Sequence, residues 1–513
     1  MYIIRVIGLK SIYNCEEIMR RSSGILLHIT SLGSRYGIGT IGSDARSFAD
    51  FLSLAKQTYW QTLPIGPTGY GDSPYQSFST FAGNPYLIDL DTLVEDGLLT
   101  ADEIDSVSWG ETSARVDFGA VYRGRFSVLR KAFERGFVRD SGKISDFRLK
   151  NSEWVEDYSL FMALKNHFGM KSWLEWDDKS IRMREEDALF HYRRLLSSEI
   201  DFYVYLQYIF FCQWEAFRSY VNGLGIHLIG DLPIYVAADS SDVWSHPELF
   251  LLDDERRPKC VAGVPPDYFC ADGQLWGNPI YDWAAMKSNG YQWWLERLKM
   301  SSKLFDAVRI DHFRGLESYW RVPVGSNNAI NGEWVKGPGL AFVERLRSCL
   351  PELQIIAEDL GFLTDDVRLL VKNSGFPGMR VLQFDFNPDC PEKDAPHTYD
   401  ENCVCYLGTH DNATALGWLD AADKGVASLA ASYFGLNSAE GENWGMIRGG
   451  MNTRANLFVA QMQDYLGLHT DGRMNTPGTV GGNWCWRLKD GDLTEELAAK
   501  IAYYTRMFGR TGC

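Results

Sequence analysis

Short apolar runs bounded by small or polar residues recur along the chain, separated by stretches with helical spacing. The first, Gly24–Ile29 (GILLHI), lacks polar alternation and so reads as a parallel strand covered on both faces. Ser43–Ala55 follows, with Phe48, Phe51, Leu52 and Ala55 on one helical face. Tyr59–Pro64 (YWQTLP) is a second strand, completing a strand–helix–strand unit. The same punctuation resumes with a helix around Tyr205–Val221. Six further runs then appear: Ile226–Gly230, Asp306–Ile310, Gln354–Ala357, Met379–Phe384, Val404–Gly408 and Leu457–Met462. Eight candidate strands, mostly separated by helices, predict an α/β chain of the (β/α)8 type, a TIM barrel.

Two stretches break the rhythm. Pro64–Pro85 is dense in Gly, Pro, Ser and Asn and reads as a long shaped loop. From about Asp91 to Asp201 the sequence is charged, helix-periodic and punctuated by Trp, which predicts a mostly helical insertion. The expected layout is an N-terminal extension over 1–21, with Met19 a candidate start. The first barrel strands and a substrate loop occupy 22–90, the insertion 91–201, and the rest of the barrel, with further loop insertions, 202–513. No separate C-terminal β-domain is expected.

Composition narrows the function classes. Over 513 residues, hydrophobic residues make up 45% and charged residues 23%, as in ordinary globular proteins. A net charge of −16 without a basic stripe argues against nucleic acid as a partner. No apolar run reaches the length of a membrane span, so no membrane partner is expected. The 10 Cys include no CxxC pair, which points to reduced thiols in a cytoplasmic protein rather than a zinc site or a disulfide framework. Aromatics stand at 14%, including 17 Trp and 25 Tyr. A large core accounts for many, but such rings also stack on sugars.

The chemistry lies at strand ends. Four candidate strands run into an acid: Asp231, Asp311, Glu358 and Asp411. One such acid alone is more often a helix cap, but four at the C-terminal ends of barrel strands would converge on one mouth. Arg309 shares the inward face with Asp311, two residues on, and would hold that carboxylate ionised. His312 and His410 flank the acids and can bond sugar hydroxyls. This inventory suits retaining glycoside chemistry, in which a nucleophile and an acid/base stand about 5–5.5 Å apart. A hydrolase and a catalytically silent glucan-binding protein are the rival readings. The second would be expected to have lost one of the acids.

Several blocks resemble one family. RIDHFRG (Arg309–Gly315), AEDLG (Ala357–Gly361) and GTHDN (Gly408–Asn412) are similar to signatures of the 4-α-glucanotransferases called amylomaltases or disproportionating enzymes, glycoside hydrolase family 77, relatives of the α-amylases. SSGILLHITSLGSRYGIG (Ser22–Gly39), GPTGYGDSPYQSFSTFAGNPYLIDL (Gly66–Leu90), IGDLPIYVAADSSDVW (Ile229–Trp244), GVPPDYF (Gly263–Phe269), GQLWGNPIYDW (Gly273–Trp283) and RMNTPGTVGGNWCWR (Arg473–Arg487) agree with it. The resemblance implies transfer of a 1,4-α-glucan segment to the 4-position of glucose or a maltodextrin, without metal or cofactor. It implies Asp311 as nucleophile, Glu358 as acid/base and Asp411 as transition-state stabiliser. Arg309, His312, His410 and Asp231 would line the sugar at the cleavage point, with Tyr75 stacking beneath it. Gln274 and Trp276 would line the acceptor side. Pro265–Asp272, including Asp267, matches a loop arching over the cleft, and Tyr59 matches a secondary glucan position. The chain departs from the pattern in residues 1–18 and at Cys270, where a small hydroxyl residue is usual.

Overall fold

A computed structural model describes residues 20–69, 71–111, 113–266 and 271–512. Eight strands are parallel: β1 (Ser22–Leu26), β2 (Tyr59–Gln61), β3 (His227–Pro233), β4 (Ala307–Asp311), β5 (Gln354–Ala357), β6 (Gly378–Val381), β7 (Cys403–Tyr406) and β8 (Leu457–Gln461). Ladders join them in the order β6-β7-β8-β1-β2-β3-β4-β5. The seam between β5 and β6 closes differently. The Ala357 amide donates to the Pro377 carbonyl at 2.9 Å, and the Met379 amide donates to the Asp359 carboxylate at 2.7 Å. Gly378 sits against that carboxylate, where a Cβ would lie 2.8 Å from an Asp359 oxygen.

All eight expected strands are present; Gln354–Ala357 has the expected ends and the other seven have shifted ones. The run expected to continue to Phe384 leaves the sheet after Val381, and Leu382–Phe384 winds into a 3-10 turn that buries Leu382 and Gln383 and leaves Phe384 exposed. Helix α1 (Ser43–Leu54) buries Phe48, Phe51 and Leu52, and Ala55 just past its end is also buried. The stretch 91–201 is helical, including α2 (Phe118–Arg139) and α3 (Val155–His167), and α4 (Ser197–Gly223) runs unbroken through residues 201 and 202. One continuous core links these helices to the barrel. After β8 the chain finishes with α5 (Glu495–Met507).

The apolar runs did not reveal a four-stranded antiparallel sheet formed by Gln274–Pro279, Cys260–Val264, Ser318–Pro323 and Glu333–Lys336, in that spatial order. Gln274–Pro279 alternates in burial at its start and Glu333–Lys336 is largely exposed, so these two lack the signature that marks the barrel, whereas Cys260–Val264 is a short buried apolar run of the barrel kind. Among the described residues no helix is long and apolar enough to cross a membrane. The extension expected over residues 1–18 lies outside the described residues.

Candidate active site

Parallel pairing sets Asp231 on β3 directly beside Arg309 on β4. Arg309 donates through Nη1 to both Asp231 oxygens at 2.7 Å, and its Nη2 lies 2.9 Å from Asp311 Oδ1. The expected inward Arg–Asp pair is therefore a triad of charges. The Asp231 side chain is fully buried, whereas 31% of the Asp311 side chain is exposed. Burial alone would favour a neutral Arg309, but the Asp231 and Asp311 charges outweigh it and push its pKa well above the ordinary value.

Tyr75 comes from the shaped loop after β2. Its hydroxyl donates to Asp231 at 2.8 Å and lies 3.4 Å from His410 Nδ1, and the two rings stack at 5.0 Å. His410 Nε2 lies 3.4 Å from Asp411. Burial disfavours the imidazolium, yet the Asp411 charge raises the His410 pKa. Burial likewise disfavours ionised Asp411. His410 and an Asn475 amide donating at 2.6 Å prevail, and the carboxyl is held at about 2. Arg473 donates to the Asp411 main-chain carbonyl at 2.6 Å. Trp484 closes the cluster, 5.8 Å from the Tyr75 ring and 5.9 Å from His410.

Glu358, just past β5, is buried and accepts the main-chain amides of His312 at 2.6 Å and Leu360 at 2.8 Å. Burial pushes its pKa to about 7, with the Asp311 charge adding and Arg309 and the two amides opposing. Asp311 is also raised, by burial first, against the direct pull of Arg309. The ion pair falls on Asp311 and not on Glu358, so a proton shared by the two resides on Glu358. His312 has φ 53, a left-handed conformation that turns the chain sharply after β4. Burial and the Arg314 charge lower its pKa to about 3, so the ring is neutral, and its Nε2 is buried without a hydrogen-bond partner among the described residues. The Trp276 ring meets His312 edge-on at 4.8 Å and donates through Nε1 to Gln274 at 3.1 Å.

The structure thus gathers Asp231, Arg309, Asp311, His312, Glu358, His410, Asp411, Tyr75, Gln274 and Trp276. It does not bring Tyr59 to this mouth. That ring, matched to a secondary glucan position, lies at the start of β2, 7% exposed and tilted against His227 at 5.5 Å. Asp267 and Cys270 lie outside the described residues. Sequence reasoning missed Arg473 and Asn475 as partners of Asp411. Both stood in the RMNTPGT block, but nothing about an isolated Arg and Asn in a loop marks them.

A model of the family described as 4-alpha-glucanotransferase matches residues 27–494. The chain is 46% identical over 486 residues to the 4-alpha-glucanotransferase of Clostridium butyricum, covering 94% of this chain and 100% of the relative. It is 47% identical over 493 residues to that of Streptococcus pneumoniae serotype 4, covering 96% and 98%. The amylomaltase from Streptococcus agalactiae, solved in complex with acarbose, is similar with a TM-score of 0.93 and 42% identity, over 96% of this chain and 100% of that one. The amylomaltase from Corynebacterium glutamicum, 20% identical with a TM-score of 0.76 over 94% and 75%, shares the fold.

Proposed function

Since the chain belongs to the 4-alpha-glucanotransferase family, we propose that three carboxylates carry the family's reaction here: Asp311 as nucleophile, Glu358 as acid/base and Asp411 as stabiliser. The reaction moves a segment of 1,4-α-glucan to the 4-position of an acceptor sugar by a retaining double displacement. In the first step an Asp311 oxygen attacks the anomeric carbon while Glu358 gives its proton to the departing glycosidic oxygen. In the second, Glu358 takes the proton of the acceptor 4-hydroxyl as that oxygen attacks the same carbon and Asp311 leaves. Two inversions restore the α-configuration.

The observation that carries these roles is the unequal environment of the two carboxyls. Arg309 is ion-paired to Asp311 at 2.9 Å, whereas Glu358 is pushed to about 7. Asp411, ionised at about 2 and 46% exposed at its side chain, can accept bonds from sugar hydroxyls as charge develops on the ring. Asp231, Arg309, His410, His312 and Tyr75 then bind the sugar at the cleavage point, and Gln274 and Trp276 the acceptor. Maltodextrins are the proposed donors, with glucose as the smallest acceptor. A cytoplasmic setting is supported by the exposed free thiols of Cys212, Cys349 and Cys390.

The test uses Glu358→Gln with a maltosyl fluoride, whose leaving group needs no proton. The first step should proceed and the second stall, leaving a sugar ester on the peptide containing Asp311 by mass spectrometry. An adduct on another residue would remove the nucleophile assignment.

A further inference from the structure

Main-chain ladders join neighbouring strands of the barrel everywhere but between β5 and β6. That seam lies beside the proposed acid/base, because Glu358 is the first residue past β5. Toward β4, Glu358 is well held. Its amide donates to the Ile310 carbonyl at 3.1 Å, and its carbonyl accepts the Phe313 amide at 2.9 Å. Toward β6 the backbone supplies the Ala357 amide, bonded to the Pro377 carbonyl at 2.9 Å. A parallel ladder would next carry the Met379 amide to a β5 carbonyl. Here the Asp359 carboxylate accepts it at 2.7 Å, so that a side chain replaces the missing rung.

Both strands are shaped for this rung. Asp359 is buried, and its two oxygens stand 2.8 and 2.9 Å from where a Cβ on Gly378 would lie, so the glycine makes room for them. The second oxygen is 3.9 Å from Arg380 Nη1. The peptide between Asp359 and Leu360 is a rigid plane. It carries the Leu360 amide that donates to Glu358 Oε1 at 2.8 Å. Fixing Asp359 therefore fixes one of the two amides that orient the Glu358 carboxylate.

The rung also refers Glu358 to the nucleophile. Met379, whose amide Asp359 holds, is fully buried, and its Sδ accepts from Arg309 Nε at 3.3 Å. Arg309 in turn lies 2.9 Å from Asp311. Contacts thus run from Asp311 through Arg309, Met379 and Asp359 back to Glu358. A proton donor and a nucleophile that act on one bond need their spacing held closely.

We propose that Asp359 is a positioning residue for the acid/base: by holding the Met379 amide across the one seam without a ladder, it fixes the chain that aims Glu358 at the glycosidic oxygen. The proposal rests on the reading of Glu358 as acid/base and deepens it.

Asp359→Ala and Asp359→Asn test this on two donors, maltotriose and maltosyl fluoride. The alanine variant should lose about 10- to 100-fold in kcat on maltotriose with KM within about twofold of wild type, because proton transfer suffers and binding does not. The first-turnover burst of fluoride release should stay within about threefold of wild type, since that leaving group needs no general acid. Asp359→Asn keeps an oxygen for the Met379 amide and should restore kcat to within about threefold of wild type. If Asp359→Ala fails to fold, Gly378→Ala pushes the carboxylate off the amide with Asp359 intact and should give the same split between donors. An equal loss on both donors overturns the proposal, as does an undiminished kcat on maltotriose. An asparagine variant as impaired as the alanine one overturns it too, because the acceptor oxygen would then not be what matters. Glu358→Gln separates the reading beneath. If it turns over maltotriose like wild type, Glu358 is not the acid/base and that reading falls, whatever the Asp359 variants do.

Discussion

The barrel side and the sheet side of the site meet at His312 but are held together differently. On the barrel side, Asp231 holds Arg309, Arg309 holds Asp311, and Tyr75 ties Asp231 to His410 and so to Asp411. These are mostly charge-assisted, directional bonds anchored on the buried Asp231, Arg309 and His410, and they fix atoms within a narrow tolerance. On the sheet side, Trp276 touches His312 through a ring edge, and Gln274 holds that ring through one bond. Both residues are partly exposed. Ring contacts keep much of their energy when a partner slides or rotates. The side proposed to cut the glycosidic bond is rigid, and the side proposed to receive acceptors of different lengths is forgiving.

The largest break in this contrast comes from the rigid side. Asp311→Asn should lower turnover of maltotriose at least about 10³-fold, because the nucleophile is lost outright. The fold should persist, since Arg309 keeps its paired contact with Asp231. Circular dichroism and a progress curve on the same sample check both halves, and activity within tenfold of wild type would break the assignment. A pH profile sharpens the role of Glu358. Its raised pKa keeps the proton on the acid below about 7, and the proton leaves as pH rises through that value. The kcat/KM for maltotriose should then fall about tenfold per pH unit on the basic side. With a glycosyl fluoride donor the limb should vanish from the first step, and a natural-substrate profile flat above neutrality would exclude Glu358 as the acid.

The same contrast governs what the sequence discloses. Parallel strands covered on both faces leave unbroken apolar runs, and an acid at the end of such a run is conspicuous, so Asp231, Asp311, Glu358 and Asp411 are legible. The sheet side is not. Glu333–Lys336 is mostly exposed and carries no apolar run, although it completes the antiparallel sheet. Neighbouring acids can also differ in kind. Asp359 follows Glu358 in the same motif but turns to the β6 backbone and closes the barrel. Tyr59 and Tyr75 show the same limit, one ring buried at a strand's start and the other stacked at the mouth. Residue type is shared, and only the end of the barrel distinguishes them.

Asn475 lies in a loop, 64 residues from Asp411 in sequence, and its effect is of the next size down. A hydrogen bond to a carboxylate is worth about 1.5–3 kcal/mol, so Asn475→Ala should lower kcat by roughly 10- to 100-fold if Asp411 acts mainly in the transition state. The KM should change little. Losing that donor also releases part of what holds Asp411 at about 2, but the acidic limb of the profile should stay in place, because Asp311, raised above the ordinary carboxylate value, loses its charge first as pH falls. A rise in KM at constant kcat would show that Asn475 serves ground-state binding instead.

The smallest effect belongs to the forgiving side. Trp276→Ala removes a ring face worth about 1 kcal/mol, so the KM for acceptor glucose should rise by only about 5-fold. Formation of the glycosyl-enzyme does not involve the acceptor, and the rate of fluoride release from a maltosyl fluoride without acceptor should stay near wild type. Partition should nonetheless shift, because water competes for the intermediate whenever the acceptor is held less often in attacking geometry. Measuring reducing ends against chain-length products on maltotriose separates these outcomes. A modest gain in hydrolysis with unchanged fluoride release keeps Trp276 on the acceptor side. A fall in fluoride release would instead move it to the donor side, where it would act on the reacting sugar through His312, and the division between a rigid and a forgiving side would have to be redrawn with Trp276 on the rigid one.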